Sequence, residues 1–361
     1  MLQLIELIHL SYYIHFYAYL LRVIAMKNAF KIAVVYIGTI IGAGFASGRE
    51  VLQYFNFPST SSFMGVLLSS ALFILVAFLI CEKAVVESIN DYPTYLRSVC
   101  GRATPFVNAF MLLYMFCGLF IMFAGCGELI YETSLFSKLD GIILLAVICF
   151  VTLCFDIKGI VVINYFLVPF MIFGIVYVTT ISSVFAFADA FASSCVLTQQ
   201  MALSAICYTA YNTVTAGAVL VPLTSGKSLK TIRIASFIGG FVIGILIFLV
   251  WLAQSINFDL IYRSSLPMTD LAAFCSRNCK RVYFCVLFCA VVTTAASLSF
   301  GLVSGISKHI KINKTLLSGI ICISAIPFSL YGFSNAVKNV YSVFGYIGML
   351  WIIWIIIDRL R

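Results

Sequence analysis

The chain has 361 residues, of which 63% are hydrophobic and only 10% are charged. A soluble globular domain carries about 25% charged residues, so this composition excludes a water-facing surface and indicates a protein that lies within a lipid bilayer. The net charge of +9 does not indicate a nucleic-acid partner, because the basic residues lie in short breaks between apolar runs and no basic patch is interleaved with aromatic residues.

The first 25 residues form a separate apolar and aromatic segment. They have neither the basic start nor the small-residue cleavage site of a signal peptide. One interpretation is an interfacial helix whose aromatic side chains lie at the level of the lipid headgroups. The other is that translation starts at Met26, and both interpretations stay open.

Ten apolar segments follow, each close to the roughly 20 residues that an α-helix needs to cross a bilayer. They lie at residues 31–55, 62–86, 105–131, 140–156, 159–184, 199–222, 232–256, 281–306, 315–331 and 338–358. The sequence therefore predicts an all-α polytopic membrane protein with ten transmembrane helices.

The distribution of basic residues predicts the topology. If the N-terminus is cytoplasmic, 15 of the 22 Lys and Arg residues fall on the cytoplasmic side, 6 fall outside, and Arg49 lies within the first span. This bias indicates that both termini are cytoplasmic and that the protein is a multi-pass protein of the cell membrane.

Ten spans divide into two halves of five, and an odd number of spans in each half inverts the second half. We predict an N-terminal extension over residues 1–30, a first five-helix repeat over 31–186 and an inverted repeat over 199–358. The formation of a homodimer stays open.

The first span is rich in glycine, with Gly38, Gly42, Gly44 and Gly48 within 11 residues. Each glycine costs a helix about 1 kcal/mol relative to alanine. Close helix packing through small residues is one explanation. We favour an unwound break at residues 42–44, because irregular backbone at membrane depth survives where it lines a cavity. The break would offer carbonyl groups to a cation and N–H groups to a carboxylate.

The sixth span carries the polar run Tyr211-Asn212-Thr213 at mid-membrane. Polar side chains there are costly unless they are paired or hydrated. They can bond to the backbone of their own helix or to neighbouring helices. They can also mark a second broken helix near Tyr211 and Asn212, with the Asn212 side chain capping the new half-helix.

The eighth span places Ala290, Thr293 and Thr294 on one helix face, at positions i, i+3 and i+4. One interpretation is that the two threonines bond back to the preceding turn, as hydroxyl side chains in membrane helices commonly do.

The first span also carries a family resemblance. The run Gly38-Thr39-Ile40-Ile41-Gly42-Ala43-Gly44-Phe45-Ala46-Ser47-Gly48, followed by Glu50, resembles the first-helix signature of the YkvI-type membrane proteins. That family resembles the amino acid–polyamine–organocation superfamily, whose fold is the LeuT type. The resemblance extends from about residue 27 to the C-terminus and implies that helices 1 and 6 are broken.

The resemblance also implies a sodium site. In LeuT-type sodium symporters, an Ala carbonyl and two hydroxyl groups at the spacing of Ala290, Thr293 and Thr294 bind sodium. Two carbonyl groups just before the break of the first helix complete that site, and here they would belong to Gly38 and Ile41. Five oxygen atoms suit a hard cation.

The resemblance further implies an outer gate near Arg49 and Glu50, although a simple interfacial pair is the interpretation that we favour. Relatives of this fold place the acidic partner of such an arginine on the tenth helix. Asn335 and Asn339 stand there in this chain, which weakens the assignment of a gate.

These observations predict a cation-coupled secondary transporter, with sodium as the expected coupling ion, for a small amino acid or related zwitterion. Its partners would be the bilayer and this small-molecule substrate, and no cofactor or enzymatic activity is expected. The alternative is a small-ligand membrane receptor on the same fold, without transport. The predicted substrate-binding residues are Gly42, Ala43, Gly44, Phe45, Tyr211, Asn212 and Thr213.

Overall fold

The computed structural model describes residues 23–55, 60–132, 136–183, 197–264, 266–308, 310, 312–330 and 348–359. The described residues form helices joined by short turns, and no β-strand occurs among them. The helices are α1 (Val23–Ile40), α2 (Ala43–Ala46), α3 (Arg49–Tyr54), α4 (Thr60–Val86), α5 (Tyr92–Cys100), α6 (Thr104–Tyr131), α7 (Lys138–Cys154), α8 (Asp156–Ser183), α9 (Gln199–Thr224), α10 (Leu229–Ile256), α11 (Phe258–Ile261), α12 (Pro267–Cys275), α13 (Arg277–Ser307), α14 (Lys314–Ser329) and α15 (348–359).

Within these ranges, seven helical stretches are long and apolar enough to cross a membrane. One of them joins α5 to α6, while α7 and α14 are shorter, at 17 and 16 residues. Helix α15 covers the described end of the tenth predicted span. Most of the N-terminal extension, together with Asn335 and Asn339, lies outside the described residues.

Polar residues between the apolar runs set where several helices begin. Asp91, Ser137, Thr198, Ser228 and Ser276 each accept a hydrogen bond from the backbone N–H three positions further on. Such a cap satisfies one of the N–H groups that the first turn of a helix leaves without a partner. The polar breaks in the sequence therefore act as helix starts as well as loops.

Helix α8 shows how the surface of the bundle is built. Tyr165, Phe166 and Phe173 are more than half exposed on its outer face. A continuous band of exposed aromatic and aliphatic side chains would be unstable in water but is matched to lipid chains. The outward face of the bundle therefore has the character that the composition predicts for a membrane protein.

Helices α9 and α13 form the centre of the bundle. In their most apolar stretches 83% and 94% of the residues are buried, against 39% in α4 and α8. Helix α13 packs against α6, α8 and α9, and α4 packs against both α9 and α10. The short helices α2 and α3 contact this centre, α2 against α13 and α3 against α9 and α10.

The prediction of a second broken helix was wrong. Helix α9 runs without interruption from Gln199 to Thr224, through the expected break near Tyr211 and Asn212. Asn212 Nδ2 donates to the Tyr208 carbonyl at 2.9 Å, and Thr213 Oγ1 donates to the Ala210 carbonyl at 2.9 Å. Because these side chains are satisfied by the preceding turn, their polarity does not require a gap in the helix.

The loop at 257–280 also contains structure that the apolar pattern did not predict. It holds the short helices α11 and α12. Helix α12 packs against α13 and α8 and contacts α3. A segment that the sequence presents as a polar loop therefore covers one end of the bundle.

Packing of α4 against α10 gives a test of this architecture. A Cβ atom added to Gly240 would lie 2.7 Å from the Ile74 backbone nitrogen and 2.8 Å from its Cα atom. Backbone atoms cannot yield without separating the two helices, so Gly240→Ala should lower the free energy of unfolding by about 1–3 kcal/mol. The measurement is the thermal unfolding temperature of the purified protein in detergent.

Gly319→Ala on α14 is the matched control. The nearest atom to its added Cβ is a Phe150 ring carbon at 3.6 Å, which is ordinary van der Waals contact. Both variants gain the same helix propensity, about 1 kcal/mol. Equal unfolding temperatures for Gly240→Ala and Gly319→Ala would contradict the described packing of α4 on α10.

Candidate functional site

The helical ladder of the first span is interrupted at Ile41 and Gly42. The Gly42 N–H donates to the Ile40 carbonyl at 2.8 Å, whereas in a continuous helix it would donate to the Gly38 carbonyl. Helix α2 then begins at Ala43, and the Ala46 N–H donates to the Gly42 carbonyl at 2.8 Å. The interruption therefore frees the Gly38 carbonyl from its usual helical partner and starts a new helix end at membrane depth.

A second change of direction follows at Ser47 and Gly48. Gly48 has a φ of 78°, in the left-handed region that favours glycine, and α3 begins at the next residue. Three neighbouring elements supply donors to the backbone carbonyl groups of this turn. These bonds are Tyr283 Oη to the Ala46 carbonyl at 2.7 Å, the Met268 N–H to the Ser47 carbonyl at 3.0 Å and Gln254 Nε2 to the Gly48 carbonyl at 2.8 Å. Irregular backbone is thus satisfied by protein rather than by lipid.

The eighth predicted span contributes Thr294 to the same region. Its Oγ1 atom is buried and has no hydrogen-bond partner among the described residues. A Cβ atom added to Gly42 would lie 2.9 Å from that oxygen, so the hydroxyl group lies directly against the interruption. An unpaired buried hydroxyl costs free energy unless another group or an ion approaches it.

The other residues of the predicted sodium site have different surroundings. Thr293 Oγ1 donates to the Ala290 carbonyl at 3.1 Å, as the back-bonding interpretation expects. The Cα atom of Gly38 faces Asn164 and Val168 of α8. The structure therefore brings Thr294 to the interruption, and the complete five-oxygen site, including the Ile41 carbonyl, stays a prediction.

Arg49 and Glu50 do not form the interfacial pair that the sequence suggested. Arg49 Nη1 donates to the Ser264 carbonyl at 3.0 Å. Glu50 is only 4% exposed, although it is the next residue in α3. The two side chains have different surroundings because adjacent residues on a helix point in different directions. A gate at these positions stays a prediction for Arg49, whereas Glu50 lies in the interior of the bundle.

Glu50 lies among tyrosines that the sequence interpretation mostly missed. The Tyr211 side chain approaches the carboxyl group, and Tyr114 and Tyr208 lie near enough to interact with its charge. The rings of Tyr54, Tyr208 and Tyr211 form a cluster with centroid separations of 5.4–5.9 Å. Helical spacing was the signal for this cluster, since Glu50 and Tyr54 are at i and i+4 and Tyr208 and Tyr211 at i and i+3.

Four of the predicted substrate residues have contacts that separate them into two pairs. All seven are buried. Gly44 and Tyr211 both approach the Glu50 side chain, and so belong to one site. Asn212 and Thr213 use their side chains within α9. Among the described residues, no three His, Cys, Asp or Glu side chains lie close enough together to hold a metal ion.

The approach of Glu50 to Gly44 gives a prediction that needs no knowledge of the substrate. A Cβ atom added to Gly44 would lie 2.5 Å from Glu50 Cδ and 2.7 Å from Glu50 Cγ. Gly44→Ala should therefore lower the free energy of unfolding by about 1–3 kcal/mol. In a Glu50→Ala background the clash is removed, and most of that cost should disappear. Unfolding of the four proteins of this double-mutant cycle measures the coupling, and an equal cost in both backgrounds would contradict the described contact.

Comparisons with known proteins extend over nearly the whole chain. The chain is 28% identical over 329 residues to the membrane protein YkvI of Bacillus subtilis, covering 89% of this chain and 93% of that protein. It is 26% identical over 337 residues to YyaD of the same organism, covering 90% and 94%. No family model matches the chain.

Solved structures, among them a symporter and a manganese transporter, share its fold. A Na⁺-coupled sialic acid symporter superposes with a TM-score of 0.65 at 14% identity, covering 89% of this chain and 77% of that one. The manganese transporter of Eremococcus coleocola gives 0.65 at 12% identity, covering 92% and 78%. MhsT in complex with L-phenylalanine gives 0.63 at 16% identity, covering 88% and 86%. The chain is therefore similar over nearly its whole length to the membrane protein YkvI and to YyaD, and it shares the LeuT-type fold of these solved structures.

Proposed function

We propose that the chain is a cation-coupled secondary transporter that moves a small amino acid or related zwitterion by alternating access, with sodium as the coupling ion. The observation that carries this proposal is the interruption of the first helix at Ile41 and Gly42 beside the unpaired Thr294 hydroxyl group. Released backbone groups and a free hydroxyl group at the centre of a membrane bundle are the parts from which this fold builds ion and substrate sites.

The proposed architecture has ten spans in two inverted halves of five, over residues 31–186 and 199–358, with both termini cytoplasmic. The LeuT-type fold of the described helices supports the arrangement. The excess of Lys and Arg on the cytoplasmic side supports the orientation.

Sodium would be held by the carbonyl groups of Gly38 and Ile41 at the end of α1 and by oxygens of Ala290, Thr293 and Thr294 on α13. Neutral oxygens suit a monovalent hard cation better than they suit a transition metal. The ion would join α1 to α13 and so stabilise the conformation in which both contribute ligands. Its release on the other side of the membrane would then allow the two elements to separate.

The substrate would lie on the other side of the interruption. Ala43, Gly44 and Phe45 contribute the first backbone N–H groups of α2, which precede the first N–H that closes a turn. Such groups can donate to a carboxylate, and Tyr211 would line the opposite wall.

The fold does not fix the substrate, since its neighbours include a sialic acid symporter, a manganese transporter and a protein in complex with L-phenylalanine. The described part of this chain contains no group of three His, Cys, Asp or Glu side chains that could bind manganese as a substrate.

Alternating access requires contacts at the bundle ends that can break. Ion pairs join α4 to α15, from Lys83 to Asp358 at 2.6 Å and from Arg359 to Glu82 at 3.1 Å. In the proposed topology this end faces the cytoplasm. These contacts would close the inner side and would part when that side opens.

Sodium binding can be tested before the substrate is known. An ion that binds only the folded protein raises its unfolding temperature, so NaCl should stabilise the parent protein more than the same concentration of KCl. Thr294→Val replaces the hydroxyl group with a methyl group and should weaken sodium binding by at least about tenfold, or 1.4 kcal/mol. Thr294→Ser retains the hydroxyl group and should keep the sodium effect.

Transport is then measured by uptake of radiolabelled amino acids into proteoliposomes with an inward sodium gradient. Uptake that follows the gradient and is lost in Thr294→Val supports the symporter. Ligand binding without any uptake would favour the receptor alternative. Stabilisation that is equal in NaCl and KCl, or is unchanged in Thr294→Val, would exclude the sodium site.

A further inference from the structure

We propose that the central site recognises its substrate through a positively charged nitrogen, held between the Glu50 carboxylate and the rings of Tyr54, Tyr208 and Tyr211. The proposal rests on the transport function above and deepens it, because it names the group on the substrate that is bound. It predicts that an organic amine without a carboxylate is a ligand of this protein.

Glu50 is a buried acid with one carboxylate oxygen that lacks a partner in the described part of the chain. Its Oε2 atom is buried and has no hydrogen-bond partner among the described residues. An ionised carboxylate that is taken out of water costs several kcal/mol unless a cation or several donors compensate it. The site therefore calls for a positively charged partner or a proton at this oxygen.

The protein does not supply that cation in the part of the chain that the structure describes. Arg49 directs its guanidinium group to the Ser264 carbonyl, at 3.0 Å. None of the ion pairs among the described residues includes Glu50. Among the described residues, the titratable side chains that interact with the charge of Glu50 are tyrosines of α6 and α9, namely Tyr114, Tyr208 and Tyr211.

The aromatic cluster distinguishes a bound cation from a bound proton. The Tyr54 and Tyr211 rings are stacked at 5.7 Å, and the Tyr208 ring lies 5.4 Å from Tyr54 and 5.9 Å from Tyr211. Ring faces attract an ammonium group within about 6 Å, and the attraction grows when water is excluded. A proton on Glu50 would use the carboxylate alone, whereas an ammonium group would use both the carboxylate and the rings.

The charge of Glu50 also selects against anions. A ligand that offers only a carboxylate would approach the Glu50 charge in a medium of low dielectric constant, where like charges repel strongly. A zwitterion can bind by placing its ammonium group at Glu50, between that side chain and its own carboxylate at the first N–H groups of α2. The ammonium group is therefore the common requirement for every ligand.

The test uses matched ligand series and isothermal titration of the purified full chain in lipid nanodiscs. The probes are L-leucine and L-phenylalanine, the amines that lack their carboxylate (isopentylamine and phenethylamine), and the acids that lack their amine (4-methylpentanoate and 3-phenylpropanoate). We expect both amines to bind within about tenfold of the matched amino acids and the acids not to bind. Glu50→Gln should weaken amine binding by about 10- to 100-fold, because a charge-assisted hydrogen bond is lost.

Asp156→Asn is the matched control for removing one carboxylate. Asp156 is exposed and pairs with Lys314 at 3.1 Å. Its φ of 52° is a conformation that asparagine also tolerates. This variant should bind amines as the parent does.

Three results would overturn the proposal. These are acids that bind as well as amines, amines that do not bind, and an amine affinity that is unchanged in Glu50→Gln. The last result, combined with loss of ligand-induced proton exchange, would assign Glu50 to a coupling proton instead. If Glu50→Gln does not fold, the three ligand classes on the parent protein still decide the question.

Repeating the titrations in KCl separates this proposal from the proposed function. Amine binding that needs Glu50 but not sodium would contradict the proposed sodium coupling and support the amine site. Stabilisation by sodium without any amine binding would support the sodium site and contradict the amine site.

Discussion

A backbone that leaves the helical ladder inside a membrane must find new hydrogen-bond partners in the protein, and the rest of this structure depends on that requirement. Lipid offers no donors or acceptors, so each freed carbonyl or N–H group costs several kcal/mol if it stays unpaired. The first span leaves the ladder at Gly42 and again at Gly48. Tyr283, Met268 and Gln254 are fixed in place by the carbonyl groups that these departures expose.

The same requirement explains why the site lies at this place. The turn at Gly48 redirects the chain so that α3 starts at Arg49 and carries Glu50 into the interior. Gly44 leaves space for the Glu50 side chain, because a methyl group there would overlap it. A single irregular segment thereby brings together released backbone groups, a buried acid and the tyrosines of α9. The groups that meet at the centre of the bundle are therefore determined by how the irregular backbone is hydrogen-bonded.

The proposed sodium and amine sites would use different residues of this segment. The Thr294 hydroxyl lies against Gly42, while the Glu50 carboxylate lies against Gly44. The sodium ion would be bound by neutral oxygens and the ammonium group by a single carboxylate. Neither would need a cluster of metal-binding side chains. Coupling through this shared segment would need only that each ligand favours the same conformation of the interruption.

Much of this protein follows from the sequence alone. The scarcity of charge and the apolar runs of about 20 residues determined a helical membrane protein, because lipid as solvent leaves few other choices. The glycine run predicted an interruption of the first helix at residues 42–44, whereas the structure has it at Ile41 and Gly42 and returns Ala43 and Gly44 to a helix. The pattern failed at Asn212 and Thr213, because a polar side chain at mid-membrane can be satisfied by its own helix, and composition does not distinguish that from a break. Only the tertiary structure decided that Glu50 turns inward while Arg49 does not, since their environments depend on the left-handed turn at Gly48 and on what α9 and α10 place opposite it.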